Sequence, residues 1–235
     1  MQKILIVSET NKVPRPKRSF FGEVVSENDY PFVVALHNQY HQYICAGSII
    51  TRLLVLTASH CVDGNNLYHV RIPSYDGQIE YQYDIEKTIA YPQIDGIYYN
   101  DIALLILKLP ILNARIITLF PKEWKVPPGA IATAFGWGMM EDGTMPKNLR
   151  KVYLPIISAP RCNGNYVYEY HWICTDSRHR DICSGDSGGP LIWKNYLVGI
   201  ASSVSKAGCR SGDPSTFAEV SAYRDWIDSY IVLYQ

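Results

Sequence analysis

The 235-residue sequence lacks an excess of either charge, a long apolar run and any zinc-type cysteine spacing. Lys plus Arg and Asp plus Glu number 22 each, so there is no electrostatic signature of a polyanionic partner. No nucleic acid is expected as a ligand. The apolar strip Ile102 to Leu107 is stopped by Lys108 and Pro110, far short of the ~20 residues of a membrane-spanning helix, and no membrane partner is expected. A secretory leader carries an apolar stretch of about 7 to 15 residues. Ile4 to Val7 is shorter, so a leader is expected to be absent from this sequence or to precede it. No Asn-x-Ser/Thr triplet occurs, which excludes an N-linked glycan at that signature. No Cys-x-x-Cys pair or His/Cys cluster has zinc-ligand spacing, and Asp76 with Glu80 is too small a set for calcium. Neither a metal nor a cofactor is expected.

With 47% hydrophobic residues, the chain can bury a full core, and its length suits one all-β unit of roughly 200 to 250 residues. Short segments rich in β-branched and aromatic residues recur between turn signals. In the first half they are Pro31 to Ile50 as strand, turn and strand, then Leu53 to Thr57, Val70 to Ile72, Ile79 to Tyr83 and Ile102 to Leu107. A Pro/Gly-marked link at Lys122 to Gly129 separates these from Ala130 to Trp137, Lys151 to Ile157, Pro190 to Trp193, Leu197 to Ser202 and Thr216 to Val220. This pattern predicts an all-β barrel or sandwich. Only Ala222 to Leu233 has apolar residues near helical spacing, and it predicts a terminal helix. Six cysteines in so turn-rich a chain suggest disulfides and an oxidising compartment, free buried thiols being the alternative. Spacing alone leaves their pairing open.

One stretch stands apart: Cys183-Ser184-Gly185-Asp186-Ser187-Gly188-Gly189-Pro190. Glycines permit φ > 0 and close approach of a substrate to the main chain. Ser187 would be presented on such a turn, with its own N–H and that of Gly185 directed at one spot where an oxyanion can develop. The bland alternative is a glycine-rich turn that happens to contain a serine. Serine needs a base to become a nucleophile. His60, in Leu56-Thr57-Ala58-Ser59-His60-Cys61, is the candidate, and His37, His41, His69, His171 and His179 are assigned structural or surface roles. Asp101, in Asn100-Asp101-Ile102-Ala103-Leu104-Leu105, either orients that histidine or merely caps a turn before a strand.

In this order the three stretches resemble those of the chymotrypsin-fold (S1) serine proteases, and the resemblance runs from about Ser19 to the C-terminus. It implies two packed six-stranded antiparallel β-barrels with a C-terminal helix and a cleft between the barrels. It implies Ser187 as nucleophile, His60 as proton shuttle, Asp101 as its orienting carboxylate, and the N–H groups of Gly185 and Ser187 as oxyanion donors. Ser202 matches the serine that accompanies the buried aspartate. The implied disulfides are Cys45 with Cys61, Cys162 with Cys174, and Cys183 with Cys209.

The resemblance also makes Asp181 the floor of the primary pocket, favouring Arg or Lys at the scissile bond, unless it is a solvated acid beside Arg178 and Arg180. Val204 and Ser215 stand where glycines are usual, and Ser203 where a tryptophan is usual, which suggests a narrowed, elastase-like pocket as the rival. Residues 1–18 correspond to a propeptide cut after Arg18, with 19–235 the protease domain; an uncut basic run is the alternative. After the cut, the new α-amino group would pair with Asp186. Ser19 departs from the usual Ile or Val, at a cost of about 1.5 to 3 kcal/mol in lost apolar burial. The implied partners are a polypeptide substrate, an activating protease, and serpin-type or other protein inhibitors, for a secreted monomer. A catalytically weak, protease-like binding protein is the competing reading.

Overall fold

The computed structural model describes residues 22–26, 29–64, 67–72, 81–92, 100–162 and 171–234. After the short strand β1 (Glu23–Val24) come β2 (Val33–Asn38), β3 (Tyr43–Ile49), β4 (Leu54–Thr57), the single helical turn α1 (Ser59–Val62), β5 (Leu67–Ile72), β6 (Tyr81–Ala90) and β7 (Ala103–Leu107). Strands β2 to β7 close into a six-stranded barrel in the order β2-β3-β4-β7-β6-β5. Closure comes from β2 pairing with β5, Leu36 opposite Val70. Leu36, Ile49, Leu54, Leu56 and Leu104 fill it and are fully buried.

The second half contains β8 (Thr118–Leu119), β9 (Ile131–Gly136), β10 (Arg150–Pro155), the turn α2 (Ala159–Cys162), β11 (Trp172–Thr175), β12 (Pro190–Trp193), β13 (Tyr196–Ser203) and β14 (Ser215–Glu219). The sheet order is β1-β10-β9-β12-β13-β14-β11, with β8 alongside β13. Just past β10, Ile156 bridges Thr175 of β11. Ile157 N–H bonds Cys174 O and Asp176 N–H bonds Pro155 O there, both at 2.9 Å. Through that single bridge β9 to β14 curl into a second, barrel-like sheet, with β1 and β8 as additions to the six expected strands.

Every residue of β7 is buried, because the core of the first barrel continues into Leu197, Ile200, Tyr223 and Ile227 of the second half. The strand is covered on both faces and so reads as an unbroken apolar run. Strand β6 is the converse: it runs Tyr81–Ala90, not Ile79 to Tyr83, and much of it faces solvent. Its charged residues hide the alternation from a pattern reading, and Ile79 lies outside the described residues. The terminal helix begins later than its apolar spacing suggests: a 3-10 turn at Val220–Tyr223 precedes α3 (Arg224–Ile231). Disulfides join Cys45 to Cys61, Cys162 to Cys174 and Cys183 to Cys209, as the resemblance implies. Among the described residues no helix is long and apolar enough to cross a membrane.

Candidate active site

His60 sits on α1, directly after β4, and the Cys61–Cys45 disulfide ties that turn to β3. Asp101 lies two residues before the start of β7, in a loop that Tyr223 pins by donating its hydroxyl to Asn100 Oδ1 at 3.0 Å. The two meet across the barrel end. Asp101 Oδ2 lies 2.7 Å from His60 Nδ1, and Oδ1 accepts the His60 main-chain N–H at 3.0 Å. Ser59 donates to Oδ1 at 3.1 Å and Ser202, on β13, to Oδ2 at 2.6 Å. Burial alone would raise the Asp101 pKa, but the hydrogen bonds and charge of His60, with Ser202, outweigh it and hold the carboxyl below its usual range. A carboxylate at Nδ1 keeps the proton there and leaves Nε2 as the basic nitrogen. The Asp101 side chain is only 6% exposed and that of His60 38%, so the acid is shielded while the base is open to solvent.

Ser187 is half-buried on the turn after Cys183. Its carbonyl accepts the Ala46 N–H of β3 at 2.8 Å, which fastens the turn to the first barrel. Gly188 has φ +75°, and a Cβ there would overlap Thr57 Oγ1 and Ala46 O and come within 3.2 Å of Ala58 N. The serine turn is thus pressed against the residues that lead into His60, and only glycine permits that approach. Gly185 is also left-handed, with φ +97°. Among the described residues the turn's main-chain partners go to Asp186 N–H, Gly188 N–H and Gly189 N–H. Among the described residues the N–H groups of Gly185 and Ser187 take no main-chain acceptor.

Asp186 is wholly buried. Its oxygens accept Gly138 N–H at 2.6 Å and Cys183 N–H at 2.7 Å. Burial pushes its pKa well above the ordinary value, against the lowering effect of those two donors. A cation placed beside it would lower the pKa again. The Ser19 terminus expected to supply one lies outside the described residues.

Asp181 is also buried, at 1% exposure, beside fully buried Ser215. Ser215 Oγ donates to Oδ1 at 2.5 Å, Ile182 N–H to the same oxygen at 2.9 Å, and Arg210 N–H to Oδ2 at 2.8 Å. Desolvation raises its pKa despite these donors. It is therefore a buried, hydrogen-bonded carboxylate and not a solvated loop acid; Arg178 pairs with Asp176 instead. Val204 is half-buried against the second barrel's core, and Ser203 bonds Thr216 across the strand at 2.7 Å.

Sequence reading missed several participants. Tyr43, Gly138 and Arg210 reach the site only through folding, with nothing in their neighbourhoods to mark them. Three of the five set-aside histidines assemble into one cluster. His37 stacks on His69 at 5.5 Å between ring centres, and His41 Nδ1 lies 3.3 Å from His69 Nε2. Cys45, His60 and Cys61 also come together, but both sulfurs are spent in a disulfide and offer no thiolate to a metal.

The family model described as Trypsin matches residues 20–227. The chain is 33% identical to brachyurin of Leptuca pugilator over 213 residues, covering 86% of this chain and 93% of that protein. It is 31% identical to a trypsin of Sarcophaga bullata, covering 85% of this chain and 83% of the relative. Anionic trypsin of Canis lupus familiaris is 32% identical, with coverages of 89% and 88%. Among solved structures, neuropsin, a serine protease expressed in the limbic system of mouse brain, superposes with a TM-score of 0.78 at 25% identity, covering 88% of this chain and 97% of that one. With the two-barrel fold and the family match extending over most of its length, the chain belongs to the trypsin family of serine endopeptidases.

Proposed function

We propose that the protein is a secreted endopeptidase, made as a zymogen and cleaving after basic residues, with Ser187, His60 and Asp101 as its catalytic triad. The reading is carried by the buried Asp101 carboxylate on His60 Nδ1 at 2.7 Å, together with a serine turn seated against the entry to His60. Ser187 Oγ attacks the scissile carbonyl while His60 Nε2 takes its proton. The N–H groups of Gly185 and Ser187 receive the oxyanion, and the protonated imidazole, stabilised by Asp101, returns the proton to the leaving amine. Water then attacks the acyl-enzyme by the same route. Ser202 supports Asp101 by donating to its Oδ2 at 2.6 Å and lies on the substrate side of the site.

Specificity follows from Asp181. An ionised carboxylate offers about four lone-pair sites, and Ser215, Ile182 and Arg210 fill three of them. One remains for an incoming cation. That suits the single N–H···O contact of a lysine ammonium better than the two-pronged contact of arginine. Residues 1–18 form the removable segment and 19–235 the protease domain. Once freed by cleavage after Arg18, the α-amino group of Ser19 neutralises Asp186 and sets the oxyanion loop. The activating enzyme is itself a protease specific for basic residues, and serpin-type or other protein inhibitors would engage the cleft of the monomer.

The test is to express residues 1–235 in an oxidising host, cut after Arg18, and follow fluorophosphonate labelling with Ser187→Ala as control. Peptides carrying Lys, Arg, Val or Ala before the scissile bond are compared in parallel. Labelling that depends on both the cut and Ser187, with Lys and Arg peptides preferred, is the expected result. Absence of labelling despite a verified Ser19 terminus would refute the catalytic reading in favour of a binding protein.

A further inference from the structure

Gly185 lacks the side chain that would otherwise restrict its backbone, yet its N–H must hold one direction to stabilise an oxyanion. The restraint comes from outside the turn. Ser184 O accepts Met139 N–H at 2.8 Å. Because a trans peptide is planar, this fixes where the Gly185 N–H of the same peptide points. On the other side of the Gly185 Cα, the carbonyl of Gly185 accepts the Tyr43 hydroxyl at 2.6 Å, from a residue 142 positions away. We infer that Tyr43 is a positioning residue for the oxyanion site, its hydroxyl clamping the Gly185 carbonyl so that the Gly185 N–H stays aimed at the developing charge. This rests on the protease reading above.

The tyrosine is itself held. It opens β3, and its ring stands edge-on to Trp137 at 6.0 Å and to His37 at 5.9 Å. Its Cε1 lies 3.6 Å from where a Gly185 Cβ would be, so ring and turn are in contact. Burial, with the Asp186 carboxylate nearby, raises its phenol pKa well above the usual value, which keeps the hydroxyl a donor at any working pH.

Tyr43→Phe keeps the ring and deletes the donor. The activated enzyme is measured for kcat and KM. Its affinity is measured for a lysyl peptide aldehyde, whose hemiacetal oxygen occupies the oxyanion site, and for the matching peptide alcohol, which forms no such bond. The expectation is a fall in kcat of about tenfold, the usual worth of one hydrogen bond. Aldehyde affinity should fall equally, while KM and alcohol affinity stay unchanged. Unchanged kcat and aldehyde affinity would overturn the tyrosine's role. Equal weakening of aldehyde and alcohol would overturn it too, since that reports general loosening. A natural enzyme that neither labels nor turns over peptides refutes the protease reading itself, and this one with it.

Discussion

Ser215→Gly should make the protein less stable and a better arginine protease. Ser215 and Asp181 are both buried and joined at 2.5 Å. Removing the hydroxyl deletes a hydrogen bond to a charged acceptor, about 1.5 to 3 kcal/mol, and glycine in a strand adds roughly 0.5 to 1 kcal/mol. The sum of about 2 to 4 kcal/mol corresponds to a Tm lowered by roughly 5 to 15 °C for a domain of this size. Deletion also returns a lone pair of Asp181 to the pocket. Two sites then face the substrate where one did before, and a guanidinium can engage both oxygens. One added charge-assisted contact of about 1.4 kcal/mol raises kcat/KM for arginyl peptides about tenfold. Lysyl peptides, which gain no second prong, should change by less than about threefold. Steady-state kinetics on peptides differing only in that residue, with a melting curve of each protein, make the measurement. An arginine-to-lysine ratio that stays constant or falls in the variant would refute the lone-pair argument.

Ser202→Ala removes the 2.6 Å donor from Asp101 and should lower kcat/KM about tenfold. The Asp101 pKa is depressed in the fold relative to its ordinary 3.8, so its contribution to stability is complete above that value and is lost as pH falls through the folded pKa. In the alanine variant the loss should begin at higher pH, visible in acid melting curves; identical acid limbs would contradict it. Burial, with Arg71 next in importance, lowers the His37 pKa from 6.5 to about 4. The unfolded histidine takes its proton first, so stability is full above pH 6.5 and declines towards pH 4, by up to about 3 kcal/mol. His69 is shifted the same way. His37→Phe should flatten the decline between those pH values, and a decline of unchanged steepness would count against it. A Cβ at Gly138 would overlap the Asp186 carboxylate. Gly138→Ala should therefore cost more than about 2 kcal/mol and abolish fluorophosphonate labelling; a fully labelled, stable variant would show that the clamp on Asp186 is dispensable.

Local chemistry explains which parts were legible in the chain. Strands such as Val33–Asn38 and Ala103–Leu107 announce themselves because burial selects β-branched and aliphatic residues in short runs. Gly185 and Gly188 do so because a left-handed turn admits little else. His60, Asp101 and Ser187 stood out by the residues flanking them, and the sulfur pairing followed from resemblance. Strand β6 did not stand out, since an exposed face can carry any polar residue. The all-β class could be read from patterning, the candidate triad from its motifs, and the candidate pocket acid from the family resemblance. Contacts that bring Tyr43 to Gly185, Gly138 to Asp186, Ser215 to Asp181, and His37, His41 and His69 into one cluster arise only on folding. All four share one cause: each depends on residues far apart in the chain meeting where loops and strands come together, and the tertiary fold, not any local preference, creates those contacts.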